Sequence, residues 1–213
     1  FDNDGIPDSI VLDRFGNILF RKRLAITSSL LASPVILNKG YPARDIAILH
    51  SGSRVAIAAA DARFDSSLSV DAFAFALSVY TIDIGGEVRR QIAASTTELP
   101  ARIASADLTG NGLDDLIAVN PLDNTVTVAI QTSVGRFSLP ITLVTGIVPS
   151  DVVVADVDQD GLPDILVSDQ ASGDVTVLLN DALHQFSKSL RFRTGTQPNA
   201  VDSASGSLTL SSS

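Results

Sequence analysis

Asp156-Val157-Asp158-Gln159-Asp160-Gly161-Leu162-Pro163-Asp164, running straight into Ile165-Leu166-Val167, is the stretch on which the reading of this chain turns. Acidic side chains stand at positions 1, 3, 5 and 9 of a nine-residue loop, so alternate residues direct carboxylates to one side. Calcium, which takes roughly six to eight oxygens at about 2.3–2.6 Å, asks for such a set. Gly161 at position 6 permits the positive φ that turns the chain, and the carbonyl of Leu162 at position 7 is a main-chain donor. Without an ion, four carboxylates this close repel and raise one another's pKa. The apolar run that follows reads as a short strand covered on both faces.

The loop is one copy of a repeat. Pro100, Pro149 and Pro198 are spaced by 49 residues and again by 49. In that register Ala106 falls on Ala155, Asp107 on Asp156, Gly112 on Gly161 and Asp115 on Asp164. Val126-Thr127-Val128 falls on Val175-Thr176-Val177, and Phe137-Ser138 on Phe186-Ser187. A match held this long without insertion marks a repeated supersecondary unit. Each unit reads as four strands: Ile103 to Ala106, Leu116 to Val119, Thr125 to Ile130 and a segment before the closing Gly; their counterparts begin at Val152, Ile165 and Asp174. Turns are supplied by Pro121-Leu122-Asp123-Asn124 and Ala171-Ser172-Gly173. Four short antiparallel strands in about 50 residues is the blade of a β-propeller.

The flanks follow with decay. Tyr41-Pro42-Ala43-Arg44 echoes Leu99-Pro100-Ala101-Arg102 and opens a longer unit with strands over 54–60 and 72–81. Its loop at His50-Ser51-Gly52-Ser53 has no acid. The expected organisation is a partial blade at 1–41 lacking its first strand, a degenerate blade at 42–99, blades with calcium loops at 100–148 and 149–197, and the start of another at 198–213. The fold class is all-β, with about four four-stranded antiparallel blades of an incomplete propeller.

Two further loops carry the metal pattern. In Asp107-Leu108-Thr109-Gly110-Asn111-Gly112-Leu113-Asp114-Asp115, the candidate ligands are Asp107, Thr109, Asn111, the Leu113 carbonyl and Asp115. Neutral oxygens replace two carboxylates there, and lower ligand charge predicts weaker binding. Near the start, Asp2, Asp4, Ile6 and Asp8 occupy positions 3, 5, 7 and 9, with position 1 upstream of Phe1. Two calcium sites and a truncated third are expected. An EF-hand is excluded because it needs a bidentate Glu at position 12. Dockerin and thrombospondin-type loops need an Asp there, whereas position 12 here is Val167 or Ala118, inside a strand.

These residues resemble the FG-GAP repeats of integrin α-chain propellers and the related VCBS repeats of secreted proteins. The resemblance rests on Asp-x-Asp-x-Asp-Gly-x-x-Asp before a strand, the Val-Thr-Val strand, and the turn at Gly135-Arg136-Phe137. It covers 100–197 well, 1–12 fairly and 42–99 weakly. It implies seven-bladed propellers in which rim calcium steadies each blade. Some four blades do not close such a ring, so the remainder is expected outside this sequence.

Composition narrows the function classes. The net charge is −9, and of the 24 acids 22 are Asp. Asp favours turns and hard-cation sites over helix interiors, which places the acidity in loops. Nucleic acid as a partner is excluded by the missing basic footprint; Arg21-Lys22-Arg23 is short and reads as a solvated strand face. No run approaches a membrane span. Met is absent and the chain starts at Phe1, so a processed or excised piece is expected, with any export signal outside it. Cysteine is absent too, which removes disulfides and thiolate metal sites.

His50 and His184 lie in no motif with Ser or Asp partners, and no Gly-x-Ser-x-Gly elbow or phosphate loop occurs. The expected function is a calcium-stabilised binding or adhesion module, not an enzyme, that is secreted or displayed at a cell surface and meets a protein or glycan. The alternatives are a non-catalytic part of a propeller enzyme, of the polysaccharide lyase or dehydratase type, and a passive spacer in a surface protein. Trp is absent and only Tyr41 and Tyr80 are present, which weakens the glycan version.

Overall fold

The computed structural model describes residues 6, 8–23, 31–52, 54–65, 72–83, 86–194, 198–204 and 207–212. Among them every regular element is a strand, and all pairings are antiparallel. Sheet I holds β1 (Ser9–Leu12), β2 (Ile18–Arg21) and β3 (Val35–Ile36). Sheet II is β4 (Ala43–Ser51), β5 (Arg54–Asp65), β6 (Ala72–Ile82) and β7 (Val88–Thr96) in sequence order.

Sheet III contains β8 (Arg102–Ala106), β9 (Asp115–Asn120), β10 (Thr125–Ala129) and β13 (Ile141–Val144). A small hairpin of β11 (Gln131–Ser133) and β12 (Arg136–Phe137) lies between its last two strands. Sheet IV repeats the plan with β14 (Pro149–Ala155), β15 (Asp164–Asp169), β16 (Asp174–Leu179) and β17 (Lys188–Arg193). Sheet V is the pair β18 (Pro198–Ala204) and β19 (Ser207–Ser212).

The strand runs expected at 103–106, 116–119, 125–130 and their counterparts form, and β16 occupies Asp174–Leu179. Sheet I has three strands among the described residues. Sheet II departs in length: β5 and β6 extend to Asp65 and Ile82, beyond the runs expected from hydrophobicity alone. Where sheets III and IV place a nine-residue acidic loop after the first strand, sheet II closes β4 onto β5 with Ser51 opposite Arg54. A tight hairpin there leaves no segment to hold a ligand set.

Period-2 alternation explains how the sheets stack. Leu116 and Ala118 of β9 pack with Leu49, Ala58 and Val79 of sheet II, while Ile117 and Val119 pack with Val152, Ile165 and Val167 of sheet IV. Every residue of β9 and of β15 is buried. That is why these strands read as continuous apolar runs: both faces are covered, so neither position parity is free to be polar. Sheet II contributes Ile57 and Ala59 from its other face to a core with Ile18, Phe20 and Leu37 of sheet I. Alanine dominates the middle of β5, which lets the neighbouring sheets approach closely.

The first strands of successive sheets lie side by side. The Ile103 amide donates to Asp45 Oδ2 at 2.9 Å and Ser150 Oγ to Pro198 O at 3.4 Å, while the Ala43 amide donates to Gly16 O, in the β1–β2 turn, at 2.9 Å. Arg102 bridges this series, with Nη1 3.8 Å from Asp45 and Nε 4.0 Å from Asp151. Sheets II, III and IV stack face to face with their first strands adjacent, and the acidic loops 107–115 and 156–164 each join the first two strands of their sheet.

A buried polar position recurs at the opposite end of the second strand. Asp61, Asn120 and Asp169 face Ala43, the 100–102 segment and Pro149 of the first strand. Each bonds a hydroxyl two register steps along the third strand: Ser78 Oγ to Asp61 at 2.9 Å, Asn120 Nδ2 to Thr127 Oγ1 at 2.9 Å, and Thr176 Oγ1 to Asp169 at 2.6 Å. A polar group at a buried site is tolerated when its partner is supplied; the third-strand hydroxyl supplies one partner in each copy, while Asn120 Oδ1 and Asp169 Oδ1 have none.

Candidate metal centre

The two acidic loops share one backbone. Positions 4 and 6 are left-handed in both: Gly110 at φ 72° and Gly112 at φ 79°, Gln159 at φ 62° and Gly161 at φ 89°. The hydrogen bonds superimpose as well. At position 1, Asp107 accepts from the Gly112 amide at 2.7 Å and Asp156 from the Gly161 amide at 3.0 Å. At position 5, Asn111 Oδ1 and Asp160 Oδ1 accept from the Leu113 and Leu162 amides, both at 2.8 Å. These Asx-type turns curl the chain so that alternate side chains point inward.

Position 9 ties the loop to the sheet. Asp115, fully buried, accepts from the Leu108 amide at 2.9 Å and the Gln131 amide at 2.7 Å. Asp164 does the same with Val157 at 2.9 Å and Asn180 at 2.8 Å. In sheet I, Asp8 accepts from the Arg23 amide at 3.1 Å, the same long-range bond in a third copy. Each bond joins the start of the second strand to the residue after the third. Asp2 and Asp4 lie outside the described residues; Ile6 is half-buried.

The loops are also linked from sheet to sheet. Asn180 Nδ2 donates to Leu108 O at 2.9 Å, and Ser51 Oγ to Gln131 Oε1 at 2.8 Å. Asp114 reaches sheet II: it accepts from the His50 amide at 2.7 Å, lies 2.9 Å from His50 Nδ1, and its own amide donates to His50 O at 2.8 Å. Local motif reading missed this pair because its members are 64 residues apart. His184 sits in a turn at φ 54°, where its repeat partner Gly135 has φ 72°.

Three carboxylates of the Asp156 loop gather. Ligand oxygens of Asp156, Asp158 and Asp164 all lie within 4.8 Å of one another. Two oxygens bound to one calcium at about 2.5 Å each are separated by at most about 5 Å, so this grouping fits a single ion of that size. Asp160, expected as the fourth carboxylate, is not in the group; its Oδ1 caps the Leu162 amide. In loop 107–115, Thr109 Oγ1 stands 3.5 Å from Asp107 Oδ1, and the Asn111 amide nitrogen donates to Gln131 O at 2.9 Å. Protein hydrogen bonds there engage groups that the richer loop leaves to carboxylates.

Electrostatics agree with the difference. Burial raises Asp115 to about 6, against the pull of the Gln131 and Leu108 amides, with Asp107 and Asp114 adding repulsion. Asp164 is raised by burial, its two amide donors oppose this, and Asp158 and Asp160 push it further up. A cation among these groups removes that repulsion.

Residues 107–167 match the family model of the FG-GAP-like repeat. The matched stretch opens at the first Asp of one loop and closes in β15, so it contains both acidic loops and the strands β9 to β14 between them. No curated protein matches the chain. Among the described residues no helix is long and apolar enough to cross a membrane.

Proposed function

We propose that this chain is a sector of a β-propeller whose blades are steadied by calcium and whose exposed surface binds another macromolecule. The carrying observation is the gathering of Asp156, Asp158 and Asp164 oxygens within 4.8 Å on a loop that the repeat places at a blade end. The FG-GAP-like match over 107–167 and the face-to-face stacking of four-stranded sheets support the propeller reading.

The residues that hold the ion are Asp156, Asp158 and Asp164, with Asp160 and the Leu162 carbonyl adjoining. Loop 107–115 offers Asp107, Thr109, Asn111, the Leu113 carbonyl and Asp115 as a weaker second site; Asp2, Asp4, Ile6 and Asp8 belong to a third. Bound calcium supplies charge neutralisation, not catalysis. Asp164 is the residue through which that effect reaches the sheet, since its other contacts are the Val157 and Asn180 amides. Free calcium is millimolar outside cells, so a secreted or surface-displayed parent suits sites of this kind.

A protein partner fits better than a glycan. Sugar-binding surfaces favour open Trp and Tyr faces, but Trp is absent, Tyr80 is buried and the Tyr41 ring is covered by Arg90 at 3.9 Å; the exposed aromatic rings among the described residues are Phe15 and Phe192. Isothermal titration of calcium into the chelator-treated chain tests the metal assignment. A saturable site that weakens at least tenfold in Asp158→Asn supports it; no heat of binding at millimolar calcium refutes it.

A further inference from the structure

Asp61, Asn120 and Asp169 occupy one repeat position, yet their surroundings differ. Asp61 is fully paired: Ser78 Oγ, the Tyr80 hydroxyl at 2.5 Å, and Arg90 through Nη2 at 2.9 Å and Nε at 3.2 Å. Asn120 is neutral and gives its amide to Thr125 and Thr127. Asp169 is fully buried like Asp61, but one oxygen, Oδ1, has no hydrogen-bond partner, while Oδ2 accepts from Thr176. Among the described residues no guanidinium hydrogen-bonds it.

Around Asp169, burial and the facing Asp174 oppose a charge, while the Thr176 hydroxyl, Arg191 and the Gly146 amide favour one. From β16, Asp174 stands directly opposite in the ladder. From β17, Arg191 donates to Thr145 O and lies 3.9 Å from Asp174. The nearest acid on β14 is Asp151, whose carboxylate is 4.0 Å from Arg102. Adjacent β18 carries Asp202, whose side chain lies outside the described ones. The link from sheet III brings Thr145 and Gly146, neither of them ionisable, and a Cβ on Gly146 would stand 2.4 Å from Asp169 Cγ.

That link is stitched into sheet IV at this point. The Gly146 amide donates to Thr176 Oγ1 at 3.1 Å, the Ile147 amide to Ser172 Oγ at 2.9 Å, and the Gln170 amide to Val148 O at 2.9 Å.

We infer that Asp169 is a proton-operated clasp between sheets III and IV, neutral when the junction is tight and destabilising when ionised. Ionised, it places a buried negative charge opposite Asp174 with one oxygen unsatisfied. Protonated, it does the task of Asn120 one repeat earlier. Burial first, and the facing Asp174, raise this carboxyl to about 6 against the opposing pull of the Thr176 hydroxyl, Arg191 and the Gly146 amide. A folded-state pKa above the unfolded one means that stability falls as pH rises between the two values and then levels.

The test is thermal unfolding of the whole chain in saturating calcium at pH 5.0, 6.0 and 7.5, as wild type, Asp169→Asn and Asn120→Asp. Asp169→Asn should raise Tm at pH 7.5 by at least about 4 °C, with a smaller gain at pH 5.0. Asn120→Asp should do the reverse, installing a Tm that drops as pH rises from 5.0 to 7.5. Should Asp169→Asn lower Tm at pH 7.5, or shift it equally at all three pH values, the clasp is overturned. If Asp169→Asn does not fold, a pH-independent Asn120→Asp overturns it alone.

Discussion

At the residue scale, the four acids of the Asp156 loop are not equivalent. Asp164 holds two amides that no other group satisfies, so Asp164→Ala should cost about 2–3 kcal/mol in chelator as well as in calcium, read by urea unfolding. Asp158 makes one weak loop contact, to the Asp160 amide at 3.3 Å. Asp158→Asn should therefore weaken calcium binding while leaving the metal-free Tm within about 1 °C. Asp160→Asn should affect calcium less than Asp158→Asn, because its carboxylate lies outside the gathered three. Residue types at fixed spacing made the gathering of Asp156, Asp158 and Asp164 legible. They did not separate Asp160 from the others, since its turn toward the Leu162 amide depends on backbone geometry that the neighbouring left-handed Gln159 helps to set.

The repeat makes opposite predictions for one substitution at one structural position. Asp61→Asn in sheet II removes the counter-charge of Arg90, whose side chain is 19 % exposed, and should destabilise by about 3 kcal/mol. Asp169→Asn in sheet IV should stabilise at neutral pH. Urea unfolding of both at pH 7.5 checks the signs. Gly146→Ala should cost about 1–3 kcal/mol, because the added methyl meets the carboxylate of Asp169 on a packed face. The strands of sheets III and IV were readable because register and apolar runs repeat over the 49-residue period. Sheet II was less so: its long strands replace a loop by a hairpin, and nothing local in Ala72 to Thr81 marks where pairing stops. The Asp61, Asn120 and Asp169 series was invisible for another reason, since a polar residue closing an apolar run looks like any turn residue until its burial is known.

Across the molecule, loops and sheets form one connected rim. Position 9 of each acidic loop binds the residue after the third strand, and that residue reaches back to the preceding sheet: Gln131 to Ser51, Asn180 to Leu108. On the proposed reading, calcium in the Asp156 loop steadies sheet IV and its seam with sheet III together. An ion at about 100 times its dissociation constant contributes about 2.7 kcal/mol, a substantial part of a domain's net stability. For a chain of this size that corresponds to about 5–10 °C in Tm. The most direct measurement is thermal unfolding in millimolar calcium and in excess EDTA, for wild type and for Asp156→Asn/Asp158→Asn. The account predicts that chelation lowers the wild-type Tm by about that amount and that the double variant loses most of the difference. A wild-type melt unchanged by EDTA, or an undiminished calcium effect in the double variant, would contradict it.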